Sequence, residues 1–190
     1  MADKIILGLS GSASKKSYNT ALLRAFGEVL PDGAQFKLFE NLTALPYYTP
    51  DLDQDEVPEL ALQLRTAIGG ADALIVSSPE YNYSISALIK NTIDWASRPY
   101  GKQVLIAKPI LIAGASPGQF GTIRAQSHLR DILHATQSKV LTRPEIFLTM
   151  AAEKFDENMK LTDAPTIEIL EVAAAALLEF VGKDTRGSAA

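Results

Sequence analysis

Residues 73–99, ALIVSSPEYNYSISALIKNTIDWASRP, decide the fold. Ala73-Leu74-Ile75-Val76 is a short apolar run without alternation, as expected of a strand covered on both faces of a parallel sheet. It stops at Ser77-Ser78-Pro79, where Pro79 has no N–H to give a ladder. Glu80-Tyr81-Asn82-Tyr83 reads as a polar, aromatic turn, and a helical pattern opens near Ser84. Ile85, Leu88, Ile89, Ile93 and Ala96 fall on one helical face, and Arg98-Pro99 ends it. A turn rich in backbone donors and aromatic rings therefore sits at the carboxyl end of an inner strand, where open α/β sheets bind ligands. The competing reading is an ordinary loop whose tyrosines cover a sheet end.

The same unit recurs on both sides of this stretch. Lys4–Leu9 is an apolar strand followed by Ser10-Gly11-Ser12-Ala13-Ser14-Lys15-Lys16-Ser17-Tyr18-Asn19 and a helix over Thr20–Leu30, with Leu22, Leu23, Phe26 and Leu30 inward. Gln35–Glu40 is the second strand, Asn41–Asp55 a long irregular loop, and Glu56–Ile68 the second helix, ended by Gly69-Gly70. Lys108–Gly114 is the fourth strand, Ala115–Gly121 its loop, and Thr122–Ala135 its helix. Lys139–Leu148 is the fifth strand region, interrupted by Pro144. The last helix has Asp163 and Pro165 near its start, with Ile167, Leu170, Ala174, Leu177 and Val181 inward. Thr185–Ala190 is expected to be a disordered tail or an added remnant, which leaves residues 1–184 as a single domain. Five strand–helix pairs alternating without repeats predict an α/β three-layer sandwich with a five-stranded parallel sheet. The flavodoxin-like order 2-1-3-4-5 puts the switch point between strands one and three, so that loops 10–19, 77–84 and 114–121 meet.

Composition narrows the chemistry. Among 190 residues, 18 Lys and Arg against 22 Asp and Glu give a net charge of −4, too mild and mixed for a nucleic-acid partner. No apolar run approaches a membrane span and no leader pattern is present, so a cytoplasmic protein is expected. Cysteine is absent, which removes thiolate nucleophiles, disulfides and iron–sulfur ligation. His128 and His134 are six apart in one predicted helix and make no metal pair; both read as surface or interface residues. An enzyme with this inventory leans on a cofactor, with no metal and no single catalytic side chain.

Loop 10–19 offers hydroxyls, an amide and two lysines at a helix start, where free N–H groups and partial positive charge favour phosphate. A serine-rich helix cap is the alternative. The loop is neither a Walker loop nor a G-x-G-x-x-G turn. A phosphate there and an aromatic, amide-rich turn at 77–84 lie a mononucleotide's length apart, which suits FMN best. A response regulator would need acidic residues where Ser10-Gly11-Ser12 and Ser77-Ser78-Pro79 stand.

These residues resemble the NADPH-dependent FMN reductases, within them the bacterial quinone and chromate reductase branch. The family pattern G-S-x-R-x-x-S-x-N is similar to Gly11–Asn19. P-E-Y-N-x-S and the helix ending D-W-x-S-R match Pro79–Ser84 and Asp94–Arg98, and the similarity covers about residues 4–182. The resemblance implies that Ser12, Ser17 and Asn19 hold the phosphate. It implies that Pro79, Glu80, Tyr81 and Asn82, with Ser84 in the same motif, line the ring and ribityl chain, and that Ser116, Pro117 and Gly118 form the ring's other side. The family's arginine is Ser14 here, and Lys15 or Lys16 is expected to supply the charge as a point rather than a fork.

The expected activity is an FMN-dependent oxidoreductase that takes hydride from NADH or NADPH and passes electrons to a small acceptor, a quinone, chromate or a ferric complex. Its rivals are a flavodoxin-like carrier passing electrons between proteins, against which the mild charge argues, and a sensory domain with an empty site. A homodimer, or a tetramer of paired dimers, is also expected. Pro46, Tyr47, Tyr48 and Pro50 have no evident place in the chain's own core, Trp95 and Arg98 are favoured interface types, and the resemblance implies dimers. The alternative is that both tyrosines fold back over their own sheet end.

Overall fold

The computed structural model describes residues 3–54 and 56–187. In chain order the regular elements are β1 (Lys4–Ser10), α1 (Tyr18–Glu28), β2 (Ala34–Leu38), α2 (Glu59–Gly70), β3 (Ala73–Ser77), α3 (Ala87–Ala96), β4 (Pro109–Ala115), α4 (Ile123–Ala135), β5 (Lys139–Val140), β6 (Ile146–Leu148) and α5 (Ala164–Gly187). The parallel sheet runs β2-β1-β3-β4-β5, and β6 also pairs with β4. The order is the expected 2-1-3-4-5, with the fifth position filled by two short pieces. β5 pairs with Pro109 and Ile110 at one end of β4, and β6 with Ala113–Ala115 at the other. Pro144, which has no N–H for a ladder, lies in the gap between them.

Every residue of β3 and β4 is buried, which is why their sequences carry no alternation. Ile6, Leu22, Phe26, Ile75, Leu111, Leu170 and Leu177 build one core between the sheet and α1 and α5. Leu7, Leu64, Leu74, Ile89, Ile112 and Leu129 build the other, under α2, α3 and α4. Both layers follow from right-handed crossovers, since the chain reverses direction across the sheet once, after β2.

Several boundaries shift for local reasons. α3 starts at Ala87, later than the pattern near Ser84, because Tyr81 and Ser84 exchange two backbone hydrogen bonds of 3.0 Å and close a tight hairpin first. Ser86 then caps the helix by accepting from Ile89 N–H. α2 starts at Glu59 because Pro58 occupies its N-cap and disfavours helix before it. α5 runs to Gly187, three residues into the stretch expected to be a tail. Residues 188–190 lie outside the described residues.

The long loop after β2 differs most from expectation. Trp95 is not a surface anchor: it is 0% exposed, and its indole N–H donates to Pro46 O at 2.8 Å. Tyr48 meets the Trp95 ring edge-on at 5.1 Å, and its N–H donates to Asn91 Oδ1. Asn91 donates in turn to Pro46 O. The loop is thus sewn to α3, while Tyr47, 81% exposed, and Pro50 stay clear of the chain's own core. Arg98 lies with its guanidinium 5.4 Å over the Tyr48 ring.

At the opposite end of the sheet from the loops that follow the strands, Asp72 accepts from Lys4 Nζ at 2.9 Å and from Ile5 N–H at 2.8 Å, tying the starts of β1 and β3. Burial pushes the Asp72 carboxyl up, but the Lys4 and Ile5 hydrogen bonds and the Lys4 and Lys108 charges outweigh it and hold it below the ordinary value of 3.8. A lowered carboxyl stabilises the fold above its unfolded value and loses that stability as pH falls through its folded value. Asp72→Asn is therefore expected to cost about 1–2 kcal/mol near neutrality. Urea unfolding curves of the two proteins should converge in acid, below the ordinary carboxylate range.

Candidate active site

Three strand ends bring three loops together. β1 ends at Ser10 beside Ser77 of β3, and Ser77 pairs with Ala113 of β4. The loops that follow enclose a cleft of about 380 Å3, within the roughly 300–1,000 Å3 of small-molecule sites. Its first wall is Ser12, Ser14, Lys16, Ser17, Tyr18 and Asn19; the second is Pro79, Glu80 and Tyr81; the third is Ala115, Ser116 and Pro117. Lys15, Asn82, Ser84 and Gly118, read from the sequence as part of the same site, do not line this cleft. Lys15 is exposed, and Asn82 occupies the hairpin's tip. Ser84 hydrogen-bonds His128 Nδ1 at 3.0 Å, and Gly118 N–H donates to Ser116 Oγ.

The floor is held by Asn19. Its Oδ1 accepts from Ala115 N–H at 3.0 Å and from Ser77 Oγ at 2.9 Å, and its Nδ2 donates to Ala115 O at 3.0 Å. One buried amide on α1 thus clamps the ends of β3 and β4, leaving a single N–H for anything in the cleft. Ser17 caps α1, its Oγ accepting from Thr20 N–H at 3.0 Å, and its own hydroxyl hydrogen stays available. The backbone N–H groups of Lys16, Ser17, Tyr18 and Asn19 have no protein partner among the described residues. A helix start with free N–H groups, ringed by hydroxyls and carrying Lys16, is an anion cradle.

The second wall rests on Glu80, whose side chain is only 10% exposed. Its Oε2 accepts from Arg124 N–H at 3.0 Å and Ala125 N–H at 3.2 Å, and its Oε1 accepts from Arg124 Nε. Thr122, the N-cap of α4, is at φ 68° and makes no capping bond of its own, so Glu80 caps the helix from another loop. The acid read from the sequence as a site residue lines the cleft and also fixes the turn to α4. Asn82 and Tyr83 sit at φ 50° and 67°, the left-handed pair that a two-residue hairpin turn demands. A tyrosine there is strained, and Arg124 braces it, with its guanidinium 3.9 Å over Tyr83 and 4.6 Å over Phe120.

Gly114 lets the third loop come this close. A Cβ there would strike Thr122 Oγ1 and lie 2.9 Å from Ser78 O. Thr122, Phe120 and Arg124 were not legible as site residues. The one hint was Phe120 four positions before Arg124 at a helix start; the pairing with Tyr83 and Glu80 is long-range.

The profile of the family described as NADPH-dependent FMN reductase matches residues 5–153. An NAD(P)H-dependent FMN reductase of Pseudomonas aeruginosa is 39% identical over 182 residues, covering 95% of this chain and 97% of that one. A quinone reductase of Escherichia coli K12 is 33% identical over 184 residues, covering 95% and 97%. Among solved structures, the flavoenzyme NAD(P)H:(acceptor) oxidoreductase FerB of Paracoccus denitrificans superimposes with a TM-score of 0.86 at 33% identity, covering 95% and 98%.

The Asn19 clamp has a measurable cost. Asn19→Ala strips partners from buried groups at the ends of β3 and β4, and about 2–3 kcal/mol of stability is expected to go with them. Denaturant unfolding of the ligand-free protein checks this; a loss well under 1 kcal/mol would mean the strand ends hold without it.

Proposed function

The chain belongs to the NADPH-dependent FMN reductase family, and we propose that it binds one FMN in the cleft between the three loops. It is an NAD(P)H-dependent flavin reductase that reduces quinones, and we extend its acceptors to other small oxidants such as chromate and ferric complexes. The observation that carries the FMN assignment is the cleft's two-ended chemistry. A helix N-terminus with free N–H groups and hydroxyls lies at one end, and a turn of tyrosine and backbone amide at the other.

The donor set fits a terminal phosphate. Ser12, Ser17, the N–H groups from Lys16 to Asn19 and the remaining Asn19 N–H would hold it, with Lys16 supplying charge where the family has an arginine and this chain has Ser14. Lys16 lines the cleft and Lys15 does not, which supports Lys16 over Lys15 for that charge. Pro79, Tyr81 and the peptide groups of the hairpin would flank the ring, with Ser116 and Pro117 on its other edge and Gly118 N–H holding Ser116 Oγ. When bound, FMN supplies hydride acceptance and electron release. The chain's part is to fix the ring between two braced walls and leave one side open to donor and acceptor in turn. Neither His128 nor His134 lines the cleft, and no side-chain acid or base is assigned a proton. Tyr47 is exposed and has no place in the chain's own core, which supports a homodimer, or a tetramer of such pairs. A carrier between proteins remains the second reading; a charge of −4 spread over both signs gives it no docking face.

FMN uptake tests this. Purified protein is expected to bind FMN and to leave FAD in solution, because the cradle suits a terminal phosphate monoester. Lys16→Ala should weaken FMN about tenfold and flatten its salt dependence, while Lys15→Ala changes little. Ser17→Ala should cost about 1–3 kcal/mol of FMN binding. FAD bound in place of FMN, or Lys15 proving the stronger of the two, would contradict the assignment.

A further inference from the structure

Arg124 is held more firmly than a helix cap requires. Its backbone N–H and Nε both go to Glu80, and its guanidinium lies between the exposed rings of Tyr83 and Phe120 at 3.9 and 4.6 Å. The two terminal nitrogens make no hydrogen bond among the described residues. The side chain is 37% exposed. Freezing an arginine side chain costs rotamer entropy, and a structural ion pair would spend the fork on its carboxylate. Here Glu80 takes only Nε, and the outer edge of the fork, with its four N–H donors, is left facing solvent. It is tied to the site through Glu80, which holds Nε and lines the second wall of the cleft. Among the described residues Lys16 is the only cation lining the cleft, and the reading above commits it to FMN. A nicotinamide dinucleotide carries two to four negative charges, and a planar fork held in place is the group best suited to a phosphate.

We propose that Arg124 is the phosphate-recognising residue for the dinucleotide hydride donor, preorganised by Glu80 and the Tyr83–Phe120 stack. This rests on the flavin-reductase reading, since it needs a flavin for the donor to reduce. The phosphate is either the diphosphate that NADH and NADPH share or the 2′-phosphate that only NADPH carries. The same contact serves both, and kinetics tells them apart.

The test compares wild type, Arg124→Met and Arg124→Lys, each loaded with FMN, using NADPH, NADH and N-benzyl-dihydronicotinamide, a donor without phosphate. Arg124→Met is expected to raise KM about tenfold or more for the dinucleotides, Arg124→Lys by less, with kcat nearly unchanged. If both dinucleotides suffer, the contact is to the diphosphate; if NADPH alone suffers, it is to the 2′-phosphate. The benzyl donor should serve all three proteins equally. Calorimetry with adenosine 5′-diphosphate or adenosine 2′-monophosphate on the FMN-loaded proteins gives the same answer without turnover, with binding lost in Arg124→Met. Equal losses with every donor would make Arg124 a merely structural brace, and unchanged KM for both dinucleotides would end the proposal. Failure of the wild type itself to reduce flavin with any donor would instead overturn the functional reading beneath it.

Discussion

Three strands of a parallel sheet end at one place, and the rest of the site depends on how the buried polar groups at those ends are satisfied. Backbone bonds from Gly11 to Ser77 and from Ser78 to Ala113 meet part of that need, and Asn19 meets it at the Ser77 hydroxyl and at Ala115. A single side-chain amide on α1 accepts from β3 and both accepts from and donates to β4, so the first helix cannot shift without breaking the strand ends. Because a side chain has taken over that pairing, the loops above are free to diverge and leave a cleft rather than close on one another. The same helix presents its unpaired N–H groups into the space so created.

Glu80 plays the matching part on the other side. Carboxylates near a helix start are stabilising, and this one comes from the turn after β3 to cap a helix that follows β4. The cap and the turn therefore move as one body. That rigidity accounts for the strained Tyr83 backbone and for the stack that holds Arg124. Buried polar groups build the walls, and the N–H groups left unpaired at the start of α1 are those that a phosphate would use.

The sheet order was readable from the unalternating runs 73–76 and 110–113 and from the alternation of strand and helix. The positions of the three loops followed from that order. Side-chain roles were readable only where they were local. Ser17 at a helix start announces a cap, whereas the structural partners of Asn19, Glu80 and Trp95 lie far away in the chain and leave no local mark. Trp95 is the plainest case: its burial depends on the irregular loop carrying Pro46 and Tyr48, for which no periodicity gives a position. Between Lys15 and Lys16 the sequence offers no choice at all, since the backbone path through the loop decides which of them turns inward.

The central claim is that one cleft-bound flavin passes electrons from a nicotinamide donor to a quinone without help from another protein. Rapid mixing without air tests it in two strokes. The FMN-loaded protein is mixed with NADPH or NADH, freed of excess donor, and then mixed with benzoquinone. The account predicts that the flavin's visible absorbance disappears in the first stroke and returns fully in the second, each at least as fast as steady turnover. A flavin that the donor reduces but benzoquinone leaves reduced until a second protein is added would contradict it, and would make the chain a carrier.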